Sequence, residues 1–537
     1  DSFETTIDIM APTKLESKWP LALDLYNSNL PCRLEGDVAD LVVLGTIPHE
    51  IDGTFYRVMC DPLLPPHPGN VPLDGDGNIS ALRFHNGRVD FKMRYVDTER
   101  LKIERKAGKA MFGLYRNPFT HHPCVRAAVD STANTNIVFW ADKFLALKEG
   151  SLPYQVDPHT LATITYDPFR DQGIKSKTFT AHPKIDPFTD EMVVFGYEAK
   201  GLATTDIVVY ALDKNGQKKD EQWVKAPWCG IIHDCAITPN WLILAQWPFD
   251  ASIERMKKGG HHWAWNYDRA ATFIVIPRRK TTKLPAGWKE GEYRVYTSKN
   301  EMLIHTAGAW ESDDGSTLYL ETTRVHDNAF PFFPTDDGRT PALDAKADLV
   351  RFTFDLNQPT DTTVTKSETV LDCPAEFPRI DERFLSKKYD IAWLNVLTPP
   401  EHRDVKSDLE EDGTILQRLD GVAQYHKSTG KIEYYFSGPD ASVQEPVFIP
   451  RSDNAPEGDG WVMFMVERRT TNLCEVVIVD TREFHKPIAV IQLPFHMKAQ
   501  VHGNWVDQRL FKERKSLVRE DEEFKHSGRG ALETWDI

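Results

Sequence analysis

Short apolar runs recur along the whole chain: LVVLGTI at 41–47, GTFYRVM at 53–59, NIVFWAD at 136–142, EMVVFGY at 191–197, DIVVYAL at 206–212, WLILAQW at 241–247 and ATFIVIP at 271–277. STLYLET at 316–322, LVRFTFDL at 349–356, KIEYYF at 431–436, WVMFMV at 461–466 and CEVVIVD at 474–480 continue the series. They are of strand length, rich in Val, Ile, Phe and Tyr, and bounded by DP, DG, NG, TG and PN turns, which predicts a large antiparallel all-β protein. Helical periodicity is scarce. The least strand-like stretches, 253–270, 325–342, 397–420 and the charged tail after 510, read as loops or short helices over one face and an exposed end.

Polar residues punctuate this pattern at regular places. His182 opens HPKIDPFTDEMVVFGY, His233 opens HDCAITPNWLILAQ, and His305 opens HTAGAWESDDGSTLYLET, each in the order polar residue, turn, apolar strand. Glu376 in EFPRIDERF and Glu445 in EPVFIPR occupy comparable positions, and Glu149 in ALKEGSLPYQVDP and His502 in VHGNWV complete a set of seven. Their successive intervals are 33, 51, 72, 71, 69 and 57 residues. Such spacing predicts a seven-bladed propeller whose inner strands each bring one polar residue to the axis. A solenoid or a pair of β-sandwiches is the competing arrangement.

Composition is consistent with one large closed fold. Of 537 residues, 41% are hydrophobic and 11% aromatic, with 14 Trp and 28 Phe, enough to bury a sizeable core and a pocket. We expect a single domain over 1–537, with an N-terminal arm at 1–40 and a charged extension at 511–537. A net charge of -16 argues against nucleic acid, whose phosphates call for a basic face. Seven scattered cysteines without a CxxC pair fit neither a disulfide framework nor a zinc ribbon and point to a reducing, cytosolic setting. No signal-peptide pattern opens the chain and no window has the length of a spanning helix. The absence of Met at the start suggests trimming, so a removed targeting segment stays open.

Four histidines on a rigid ring form an all-nitrogen site that suits Fe, Zn, Cu or Ni. Four-ligand zinc would be closed and structural. Fe(II) on four histidines would keep two positions for dioxygen or substrate. Glutamates beside such ligands accept the second ring N–H and fix its tautomer. Other motifs carry less: Asp74, Asp76 and Asn78 imitate an EF-hand start, but Ile79 and His85 stand where Gly and Glu are required. His121-His122 and His261-His262 read as loop histidines. GxSxG, HExxH and Gly-rich phosphate loops are absent from the sequence.

HPKIDPFTDE, IHDCAIT, the IH of EMLIH and VHGNWV resemble the four iron-ligand segments of the carotenoid cleavage oxygenases. GTIPHEIDGTFYR, DGDGNISALRF, FLALKEGSLPYQVDPHTLAT, EFPRID, EPVFIPR and PIAVIQLP extend the resemblance over most of the chain. It implies a seven-bladed propeller capped by a dome of loops, mononuclear nonhaem Fe(II), no organic cofactor, and cleavage of a C=C bond by dioxygen into two carbonyl products. It further implies His182, His233, His305 and His502 as ligands, with Glu149, Glu376 and Glu445 supporting three of them. Two departures, Arg57-Val58-Met59-Cys60-Asp61-Pro62 in place of RNGPNP and GAWES after the third ligand segment, bear on the pocket and remove no ligand.

Lys148, immediately before Glu149, resembles the branch of that family acting on 4-hydroxyphenyl alkenes such as resveratrol, lignostilbenes, isoeugenol and vinylguaiacol. There a Tyr about thirty residues upstream joins the Lys in holding the phenol, and Tyr115 in MFGLYRNPF stands 33 residues before Lys148. Leu73 replaces the Phe that often precedes DGDG in that branch and would leave a smaller aliphatic wall. The expected partners are a small aromatic alkene and dioxygen. An apocarotenoid oxygenase and a binding propeller with a structural metal are the rival readings; oligomeric state is not legible in the sequence.

Overall fold

Antiparallel hairpins account for nearly all of the regular structure, because the apolar runs are separated by short turns that return each strand beside its predecessor. The structure is a computed structural model that describes residue 19 and residues 30–339, 341, 345–364, 366–403 and 419–518. Seven sheets of four to six strands follow one another along the chain, and a two-stranded hairpin, Phe249–Ala251 with Trp263–Trp265, stands apart from them. This is the seven-bladed propeller that the spacing predicts, in place of a solenoid or sandwiches.

Ring closure uses both ends of the chain. The late strand Gln500–Asp507 pairs with Gly53–Cys60 and becomes the innermost strand of the first blade. The early strand Val42–Gly45 pairs with Pro487–Gln492 on the outer edge of the last blade. Gly36–Val38 already pairs with Arg88–Tyr95, so pairing begins inside the stretch read as an arm. At the other end Phe511 packs edge-on against Phe139, and Leu517 is buried in the cluster formed by the first two blades. Residues 519–537 of the expected extension, and most of 1–29 and 404–418, lie outside the described residues.

The loop stretches are largely as expected: 253–270 holds the short helix Ile253–Lys257 and the strand Trp263–Trp265, and 397–403 a single turn at Pro400–His402. The helix Glu99–Ala107 is not legible as a periodic apolar stripe. Its sequence, ERLKIERKA, buries Leu101, Arg100 and Glu104, and it is fixed by its ends: the Thr98 side chain accepts from the Leu101 N–H, and Gly108 closes it at φ 66°.

The inner strands position the site. His182 precedes the strand Lys184–Asp186, His233 lies in Ile232–Ile237, His305 in Met302–Glu311, Glu376 in Ala375–Ile380, Glu445 just ahead of Val447–Pro450, and His502 in Gln500–Asp507. Pairing register is broken around His233, His305, Glu376 and His502. Such bulges re-aim a side chain that strict alternation would point between blades. Glu149 departs from the scheme: it follows the second strand of its blade, Lys143–Leu147, and Asn136 begins that blade's innermost strand.

Candidate metal centre and cavity

His182, His233, His305 and His502 meet on the propeller axis, their ligand atoms all within 4.8 Å of one another, and no other such group occurs among the described residues. The Nε2 atoms of successive pairs, His182 to His233, His233 to His305, and His305 to His502, are each 3.1 Å apart. Three of the rings turn their Nδ1 outward to a carboxylate: His233 donates to Glu149, His305 to Glu376 at 2.6 Å, and His502 to Glu445 at 3.0 Å. A carboxylate acceptor requires the proton on Nδ1, which leaves Nε2 as a lone pair facing the axis.

Facing lone pairs at this distance repel unless a cation lies between them. Four neutral imidazole nitrogens converging on one point form a donor set that suits Fe, Zn, Cu or Ni. The donor set and spacing fit the metal implied by the resemblance.

Burial dominates the electrostatics, and the charges set its outcome. Loss of water pushes the His502 imidazole down to about 4, against the opposing charge of Glu445. His182 falls well below the usual histidine range through burial and the neighbouring rings. His305 is also buried, but the charge and hydrogen bond of Glu376 outweigh that loss and raise it. The three glutamates are buried as well, yet each is held below the usual carboxylate range, chiefly by its histidine. None is the surface carboxylate that a strand-end position by itself suggests.

Each glutamate has a further partner. Tyr197 donates its hydroxyl to Glu149 at 2.6 Å and accepts from Arg116 at 3.0 Å. Thr323 donates to Glu376 at 2.6 Å. Arg379 and the Gly503 N–H reach Glu445 at 3.2 and 2.9 Å. The residue after Glu376, Phe377, has φ 52°, a strained conformation for an aromatic residue. That conformation lets its N–H reach the Glu376 carboxylate and its ring stack on His305 with centroids 5.1 Å apart.

A cavity of about 260 Å³ opens on one side of the ring, reaching His233, His305 and His502. Trp247, Trp263, Phe330, Phe333 and Phe377 supply most of its apolar wall, and Leu73, Tyr115 and Lys148 line it too. Lys148 is buried at the end of its strand, its ammonium 4.7 Å from the centre of the Tyr115 ring. It contacts Asn134 Oδ1 at 3.5 Å and stands 4.0 Å from Asp74. Asp74 is already held by Arg100 at two points, 3.0 and 3.1 Å, and Lys148 lies below the usual lysine range because of burial.

Asn134 ties this corner together by donating to the carbonyls of Leu73 and Gly75 at 2.9 and 2.7 Å. The glycines of DGDG permit the approach: a Cβ on Gly75 would collide with the Cys60 carbonyl, and one on Gly77 with those of Thr132 and Ala133.

Every candidate residue read from the sequence is thus at the ring or in the wall of this cavity. Asp74 and Asp76 do not form a cation loop: one pairs with Arg100 and the other accepts from the Leu63 N–H. His121 bonds Asp130 and His262 faces Glu198, both away from the ring. Sequence reasoning missed the aromatic wall, Tyr197, Arg379 and Asn134. Trp263 and Phe330 lie in stretches read as loops or short helices over one face, where the clustered aromatic residues of HHWAWNY and FPFF were the available signal.

Residues 29–507 match the family described as retinal pigment epithelial membrane protein. Among curated proteins, resveratrol cleavage oxygenase 1 of Botryotinia fuckeliana is 64% identical over 98% of this chain and 93% of its own length. The protein of the same name from Aspergillus fumigatus is 42% identical over 89% of this chain and 94% of its own. Among solved structures, a lignostilbene dioxygenase of Pseudomonas brassicacearum superposes with a TM-score of 0.82 at 34% identity, covering 91% of this chain and 99% of that one.

Proposed function

This chain belongs to the retinal pigment epithelial membrane protein family, the carotenoid cleavage oxygenases, and on that premise we propose that it is an Fe(II)-dependent dioxygenase of 4-hydroxyphenyl alkenes. Its substrate is a stilbene such as resveratrol, or a smaller alkene of the isoeugenol or vinylguaiacol type, and its products are aromatic aldehydes. The observation that carries this reading is the pairing of Lys148 with Tyr115 in the wall of the cavity that reaches the histidine ring.

His182, His233, His305 and His502 would hold the iron, which would supply the binding and activation of dioxygen. Glu149, Glu376 and Glu445 keep three of those rings in the ligating tautomer. Tyr115 and Lys148 bind the phenolic oxygen. Burial holds the Lys148 amine below the usual lysine range, while a cation and a hydroxyl on the phenolic oxygen favour the phenolate, which sends electron density through the ring to the alkene. Trp247, Phe333 and Phe377 orient the rings and exclude water. About 260 Å³ is at the small end of ligand pockets, the scale of a two-ring molecule rather than a long polyene.

Residues 1–537 act as a single oxygenase domain. Seven free cysteines support a cytosolic setting, and no helix among the described residues is long and apolar enough to cross a membrane.

The test is purified, iron-loaded protein supplied with dioxygen and offered resveratrol, isoeugenol, vinylguaiacol and an apocarotenal, with aldehydes followed. Aldehydes from the phenols alone support the proposal. Turnover of the apocarotenal alone assigns the chain to the apocarotenoid reading, and no turnover with a tightly held metal assigns it to a binding propeller.

A further inference from the structure

His182 differs from the other three ring histidines. Its Nε2 faces the axis like theirs, 3.1 Å from that of His233, but no glutamate stands at its Nδ1. The nearest carboxylate is Asp234, with Oδ1 4.0 Å from that nitrogen. This exceeds a direct hydrogen bond, and a separation beyond 3.5 Å between polar groups is one that a water can bridge.

The surroundings are built for such a bridge. A second cavity, of about 250 Å³, also reaches the ring and has His182, Lys184 and Asp234 among its lining residues. A water placed among these three meets three polar partners, the number that buried waters ordinarily make. Asp234 is itself rigid. Its Oδ2 accepts from the N–H and hydroxyl of Thr306 at 2.8 and 2.9 Å, and its Oδ1 from the Cys235 N–H at 2.7 Å and Lys184 at 2.8 Å. It follows His233 directly, Thr306 follows His305, and Lys184 is two residues past His182, so one carboxylate is bonded to backbone beside two of the histidines and to a side chain beside a third.

We infer that Asp234 is the missing carboxylate of the ring, a positioning residue that takes up the Nδ1–H of His182 through one water of the axial cavity. The inference rests on the metal reading above. Thr306 and the Cys235 N–H hold Asp234 in place, and Lys184 offsets its charge.

The two roles open to Asp234, aiming a ligand or tying blades together, separate in the full-length apo-protein titrated with Co(II) against a competing chelator. The visible spectrum of the bound ion and the apo-protein's melting temperature are the accompanying readouts. Asp234→Asn is expected to weaken Co(II) roughly 10- to 100-fold and to alter its spectrum. The double variant with Lys184→Met, which removes the ammonium that would face the new amide, is expected to show the same loss. Lys184→Met alone keeps the carboxylate, removes a cation near the site, and is expected to bind Co(II) at least as tightly as wild type. Wild-type affinity in Asp234→Asn, or equal losses in Asp234→Asn and Lys184→Met that track melting temperature, overturns the inference. His182→Ala separates it from its premise: wild-type affinity there removes the metal reading and this inference with it, while loss there with none in Asp234→Asn removes this inference alone.

Discussion

The Lys148 ammonium stands 4.7 Å from the centre of the Tyr115 ring, and both side chains are buried in one cavity wall. A buried cation over an aromatic ring, with Asp74 4.0 Å away, is costly to maintain. Its position in the wall of an apolar pocket is explained if a ligand oxygen shares its charge.

Lys148→Met therefore leaves iron bound, since Lys148 is not at the ring, and lowers cleavage of 4-hydroxy alkenes by about 10²- to 10⁴-fold, the range of a positioned proton-transfer group. Wild-type enzyme barely turns over the matching 4-methoxy compounds, which have no proton to lose. Steady-state rates and metal content measured on the same samples check both statements. Similar rates on the two substrate classes would falsify the phenolate mechanism.

The pH profile follows from the same residue. Burial lowers the Lys148 pKa, so its cationic form is lost at a lower pH than in an ordinary lysine. The activity that needs the ammonium is present below that depressed value and declines as pH rises through it. In kcat/KM against pH, the basic limb should lie below the usual lysine range of about 10.4, and the residual activity of Lys148→Met should lack it.

Glu376→Gln keeps the shape of the side chain but replaces the charged acceptor of the 2.6 Å bond from His305. A loss of roughly 10- to 100-fold in metal affinity or activity is expected. Chelator competition and turnover measure it, and wild-type values for both would exclude Glu376 from supporting the metal.

His233→Ala or His502→Ala removes one corner of the four-nitrogen set and is expected to abolish metal binding and activity together. The blades are held by their own ladders and by two points of ring closure, so circular dichroism of either variant should remain that of a folded β protein. Full turnover in either would end the iron reading.

The sequence alone determined the strand-and-turn grammar, the number of blades and the four histidines, because these are local and repetitive. A strand of alternating Val, Ile and Phe needs only its turns to fold back, and a polar residue recurring ahead of such hairpins has few uses besides the axis. Resemblance added the pairing of Lys148 with Tyr115. What only the tertiary structure decided is non-local. Bulges swing His233, His305 and His502 inward, and Glu149 arrives from a different strand than the other two glutamates, which no interval in the sequence distinguishes. The aromatic wall gathers Trp247, Trp263, Phe330, Phe333 and Phe377 from segments up to 130 residues apart. Asp234, one residue from the ring histidine His233, reads in sequence as part of a turn; only the bonds it accepts from Thr306 on a neighbouring blade show its carboxylate held beside His182. Side-chain chemistry is written locally, but which groups share a cavity is set by how seven sheets close around an axis.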